Sequence, residues 1–166
     1  MKTIYLIITG LCVMALSVMP VQAFTMKSLA INVDSGGNAQ IDMQYELNFV
    51  EQSAVFLKLA DPAQELQSAF NSGSAQPVTV TAAGSSGSTV NVPSYASVTR
   101  TDGASVITTP TLSFERAEKV LKNYWFAPLV SPDFSPAVTT VTFPDGHQDF
   151  FYDQISIPSI SHQVSQ

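Results

Sequence analysis

Apolar and polar positions alternate with a period of two along much of this chain. Leu29, Ile31 and Val33 are separated by small or polar residues, and after "DSGGN" at 34–38 the pattern resumes at Ile41, Met43, Tyr45, Leu47 and Phe49 against Gln40, Asp42, Gln44, Glu46 and Asn48. Successive side chains of a strand point to opposite faces, so this stretch predicts a hairpin with one apolar face. "SAVFLKLA" at 53–60 fits either period: Val55, Leu57 and Leu59 suit a strand, Phe56, Leu59 and Ala60 a helix. "DPAQELQSAFNSG" predicts a short helix over 62–71, with Asp61 as cap, Pro62 at the first helical position and Gly73 as stop. Val78 and Val80 with their threonines predict a strand, "GSSGS" at 84–88 a flexible loop, and residues 90–92 a short strand. Segments 97–100 and 104–109 flank Asp102-Gly103, a preferred two-residue hairpin turn.

"SFERAEKVLKNY" predicts a second helix. Ser113 offers a cap, Glu115 lies in the first turn and Lys119 and Lys122 toward the last, where the helix dipole favours each sign, and Phe114, Ala117, Val120, Leu121 and Tyr124 form one apolar stripe. In "WFAPLVSPDFSP", Pro128, Pro132 and Pro136 argue against regular structure while Trp125, Phe126, Leu129 and Phe134 call for burial. "VTTVTFPDGHQDFFY" from 138 predicts another hairpin, since proline fixes one dihedral of the "PDG" turn and glycine supplies a positive one. In an unbroken second strand His147, Asp149, Phe151 and Asp153 share one face and Gln148, Phe150 and Tyr152 the other, which marks the carboxylates as the solvated face. The expected fold is therefore α+β: β-rich, with antiparallel, hairpin-built sheets and two short helices.

The two ends set the context. Lys2, an apolar run from Ile4 to Val18 and the small-residue order Val21-Gln22-Ala23 read as a signal peptide over 1–23, leaving a single β-rich domain over 24–166. The apolar run is too short, and too soon closed by Pro20, to predict a span. Cys12 follows Leu11 and not the small residue of a lipoprotein signal, and it is the only cysteine. The exported part must then hold together by packing and strand pairing without disulfides. The formal charge of the whole chain is −6, and loss of Lys2 makes it more negative, so a nucleic-acid partner is not expected. Charged residues make up 12% of the chain, about half the usual share of a soluble domain, which implies a surface that is partly hidden or kept wet by Ser, Thr, Asn and Gln.

Candidate chemistry changes the picture little. Asp145, Asp149 and Asp153 could offer oxygens to calcium, but no D-x-D-x-D-G loop frames them. After residue 23 a transition metal would find only His147 and His162, fifteen apart, without cysteine. A Ser-His-Asp arrangement would recruit His147, yet G-x-S-x-G is absent. Glu46, Glu51, Glu115 and Glu118 read as solvated carboxylates, and His162 in the tail "SHQVSQ" as a solvated imidazole. No phosphate loop or dinucleotide fingerprint occurs. The expectation is a protein without catalytic, metal or cofactor residues, that is, not an enzyme.

The chain, and especially "LSFERAEKVLKNYWFAPLVSPDFSPAVTTVTFPDG", resembles small secreted cell-envelope proteins of methanogenic archaea, and among them is most similar to the sheath proteins that build tubes around chains of cells. The resemblance implies a subunit that associates with copies of itself through its strands into large amyloid-like β-sheets. Strands without lysine or proline guards are templates for such pairing, and 78–81 and 138–143 contain neither. Val78, Val80, Val138, Thr140 and Thr142 are thus the expected assembly edges. The competing expectation is a secreted monomeric binding module in which Trp125, Phe126 and Phe134 contact a carbohydrate or a protein.

Overall fold

The computed structural model describes residues 22–47, 78–84, 86–121 and 131–165. Its first hairpin joins β1 (Gln22–Val33) to β2 (Ala39–Glu46), in the register that the alternation dictates: Leu29 opposite Met43, Ile31 opposite Ile41, Val33 opposite Ala39. The turn at 34–38 is closed by Gly37 N–H donating to Asp34 O (3.1 Å) and Asp34 N–H to Asn38 O (2.9 Å), with Gly37 at φ +84°. A type I turn followed by a left-handed residue needs glycine at that point. Strands β3 (Thr79–Ala83) and β4 (Gly87–Val92) form the next hairpin, and β4 docks antiparallel on β2. "GSSGS", expected as a flexible loop, is instead the tight connection of this hairpin: Gly84 N–H donates to Gly87 O (2.9 Å), and Gly87 and Ser88 already pair with Gln44 and Met43. Tyr45 pins it by donating its hydroxyl to Gly84 O at 2.7 Å.

The chain then builds a smaller sheet from β5 (Ser97–Thr101) and β6 (Ala104–Thr108), turning at Asp102-Gly103. Only Gly103 takes a positive φ there (+84°), so this is not the doubly left-handed turn that the dipeptide favours. After β7 (Leu112–Ser113) comes the helix α1 (Glu115–Leu121), whose Glu115 N–H reaches Ser113 Oγ at 3.4 Å. It is seven residues long, and the expectation of two short helices is not borne out. The first of them, 62–71, lies outside the described residues, as does "SAVFLKLA".

The return to the large sheet is made by β8 (Ser131–Asp133) and β9 (Val138–Thr142), which both run parallel to β1 on the side away from β2. Residues 131–133, where proline argued against regular structure, are thus a short strand beside the start of β1. Strand β10 (Gln148–Phe151) folds back antiparallel on β9 and completes the sheet in the order β10-β9-β1-β2-β4-β3, with β8 on β1. The last segments are β11 (Ser156–Ile157), paired with β7, and β12 (Ser161–Ser165), which pairs with β6 to give a three-stranded sheet β12-β6-β5. The fold is β-rich, and its pairings are antiparallel apart from those of β8 and β9 with β1.

One face of the large sheet is the core. Ile41 and Val90 are fully buried, and Leu29, Ile31 and Val141 nearly so; Ile107 of β6, Ala96 and Phe114 join the same cluster, while Val98, Ile160 and Val164 pack against it. Each fully buried Ile, Leu or Val among them contributes about 1.5–3 kcal/mol. The opposite face is polar: Gln148, Thr142, Asn32, Gln40, Asn91 and Thr79 follow one another across all six strands of the path. Of the two surfaces that the low charge content allowed, this row is the one kept wet by amides and hydroxyls.

Candidate functional site

Two features converge at the β9–β10 end of the large sheet, an imidazole pair and a strand edge with no partner among the described residues. Residues 143–147 form the same turn as 34–38: Gly146 N–H donates to Phe143 O and Phe143 N–H to His147 O, both at 2.9 Å, and Gly146 has φ +86°. Asp145 caps it, accepting His147 N–H at 3.1 Å through Oδ1. Its other oxygen reaches across to the small sheet, where His162 Nε2 of β12 donates to Oδ2 at 2.7 Å. The His147 and His162 rings stack 4.1 Å apart and 5° from parallel, with Phe143 4.8 Å from His162. His147 Nε2 lies 3.5 Å from Asp149 Oδ1. The hydrogen bond from His162, and then the backbone N–H of His147, hold the Asp145 carboxyl below its ordinary value.

This cluster corrects two expectations. The "solvated tail" is strand β12, and its histidine ties the tail to the hairpin. The face of Asp149 is not the solvated one either: Asp149 pairs with Val141 and so continues the inward row Val141, Ile31, Ile41, Val90, Val80, whereas Phe150, opposite Thr140, is on the outer face and half exposed. At the sheet periphery the His147 ring, rather than water alone, accommodates the Asp149 carboxylate. Chemically the arrangement is a clasp. The lone pairs of stacked rings lie in two separate, nearly parallel planes and do not converge on one ion, and among the described residues no three His, Cys, Asp or Glu side chains are arranged to hold a metal. Asp153 sits in a left-handed turn (φ +52°) and donates its N–H to Pro136 O.

Among the described residues β10 is the outermost strand at this end, and Phe150 (50% exposed) and Tyr152 (63%) are their exposed large hydrophobic side chains. Strand β9, expected as an edge, is not one: Val138, Thr140 and Thr142 lie on a strand flanked by β1 and β10. Parallel pairing with β1, more than a hundred residues earlier, fills the side that the local pattern left open. At the other end β3 is outermost; Val80 turns its side chain toward the core, and Val78, just before the strand, is buried. Of the expected binding loop, Trp125 and Phe126 lie outside the described residues, and Phe134 packs against the core. Sequence reasoning missed Phe150 and Tyr152, although their alternation with Gln148 was visible.

Near the 34–38 turn a shallow depression of about 390 Å³ is lined by Asn32, Asp34, Asn38, Gln40 and Asn91. Asp34 is already engaged there, accepting Gly36 N–H, Asn38 N–H and the Asn38 side-chain amide at 2.8–2.9 Å, and these bonds, that of the Asn38 side chain foremost, lower its carboxyl. None of the described helices is long and apolar enough to cross a membrane. Comparison with protein-family models, with curated proteins and with solved structures found no match.

Proposed function

We propose that the protein is an exported structural subunit of an extracellular sheath or surface layer, which joins copies of itself edge to edge into extended β-sheets. The observation that carries this reading is that, among the described residues, the large sheet ends on two strands with nothing beyond them, β3 (Thr-Val-Thr-Ala-Ala) and β10 (Gln-Asp-Phe-Phe). Neither contains lysine or proline, the residues that commonly guard an edge. An open edge at each end lets a sheet grow in both directions. The leader-like first 23 residues, the lack of cysteine after them and the low charge suit a protein held outside the cell by its neighbours. The test is sedimentation and fibre diffraction of the purified protein. Assembly with a strand-spacing reflection at about 4.8 Å is the expected result. A monomer at millimolar concentration would overturn it and favour a secreted binding module.

A further inference from the structure

We infer that β10 is a self-pairing edge, on which two copies join antiparallel across a two-fold axis with Phe150 of each opposite Phe150 of the other. This rests on the assembly reading and names its contact. The Phe143 N–His147 O bond sets the phase of the hairpin ladder, so Asp149 and Phe151 bond toward β9. The backbone N–H and C=O of Gln148 and Phe150 are then directed away from the sheet, toward an incoming strand. Their side chains share the outer face, where Phe150 is half exposed.

Charge selects the register. Symmetric pairing through these outward groups permits only a few alignments. With Gln148 opposite the second copy's Phe150, Asp149 faces the second copy's Asp149. With Phe150 opposite the second copy's Tyr152, Asp149 faces the second copy's Asp153. Like charges directly opposite destabilise a strand pair. With Gln148 opposite itself, Phe150 is driven onto the turn glycine Gly146. Centring on Phe150 sets Asp149 against Phe151, Gln148 against Tyr152 and the His147 position against that of Asp153, twice each by symmetry. No carboxylate then meets another, and both exposed aromatic residues are covered. A two-fold contact is self-complementary by construction. It does not engage β3, the strand that ends the sheet at the far end of each copy among the described residues.

The test uses the full chain with Cys12→Ser, so that an introduced cysteine is the sole thiol. Phe150→Cys should cross-link to a covalent dimer under mild oxidation, because directly opposed strand residues lie about 5.5 Å apart. Gln148→Cys, four residues along the ladder from its counterpart, and Asp149→Cys, a diagonal neighbour of its own at about 7–8 Å, should cross-link more slowly, Gln148→Cys at least about tenfold. Phe150→Lys, which sets two ammonium groups together on the axis, should weaken association roughly 30-fold or more, as loss of a central aromatic contact does, with an unchanged unfolding midpoint. Faster cross-linking at Gln148 or Asp149 overturns the register. Assembly of the unmodified protein that is unaffected by both Phe150 variants overturns the choice of edge while leaving the structural reading intact. A monomeric unmodified protein overturns that reading itself.

Discussion

Gly37 and Gly146 occupy the same position in the same kind of turn, with φ of +84° and +86°, yet alanine should cost very different amounts at the two sites. A left-handed residue with a Cβ costs about 1–2 kcal/mol, partly offset by the lower entropy of the unfolded chain. Around Gly146 nothing lies within 4 Å of a built Cβ, so Gly146→Ala should lose about 1 kcal/mol. Around Gly37 a Cβ lands inside the contact radius of the Ala96 carbonyl oxygen and 3.0 Å from Val98 Cγ2. Gly37 O also accepts Ala96 N–H at 2.8 Å, so the turn holds the start of the small sheet by its backbone. Relieving the overlap means moving that connection, which adds about 1–3 kcal/mol for overpacking and about 1 kcal/mol for the strained hydrogen bond. Gly37→Ala should therefore lose roughly 3–5 kcal/mol. Urea unfolding of both variants, with slopes compared for a common denatured state, measures the difference. Equal losses would refute the reasoning, since the contacts with Ala96 and Val98 are what separate the sites.

Three further outcomes are expected. Thr139 is buried with its hydroxyl unpartnered among the described residues, so Thr139→Val should stabilise by about 1 kcal/mol in urea titrations. The Asp145 carboxyl titrates below its ordinary 3.8 in the folded chain, so its contribution is present above that pH and is lost as pH falls through the lower folded value; Asp145→Asn should flatten that part of the acid limb in melts between pH 2 and 6. Burial pushes the Tyr95 hydroxyl up to about 12, so between pH 10 and 12 the unfolded chain sheds a proton that the folded chain keeps; stability falls with rising pH, and Tyr95→Phe should remove that part of the fall and leave tyrosinate absorbance below pH 11 unchanged.

What was legible in the sequence was local. The hairpins at 34–38, 102–103 and 144–146 announce themselves because their glycines answer a dihedral requirement within the turn, and the inward rows of β1 and β2 follow from alternation alone. The place of β9 was not legible, because outward threonines on a strand look the same whether a neighbour lies beside them or not, and that neighbour, β1, is distant in sequence. His162 was missed for a related reason: "SHQVS" has only Val164 to mark a strand, and its partners on β6 and at Asp145 are chosen by topology. The faces of β10 were inverted because carboxylates were assigned to water, whereas Asp149 is accommodated by the imidazole of His147 at the end of the preceding turn.

The parallel pairing of β9 with β1 also sets an order of events. β2 follows β1 after five residues, but among the described residues the other side of β1 is paired only by β8 and β9, at 131–133 and 138–142. Until then a partial chain carries a strand that is open along one side through whatever compartment it crosses. Such an opening is an invitation to another partial chain, and closing it depends on a contact over more than a hundred residues, which is slow. Timing, therefore, is as much a part of this fold as packing: a long first strand laid down early and covered late must be kept apart from its own kind until its last neighbour arrives.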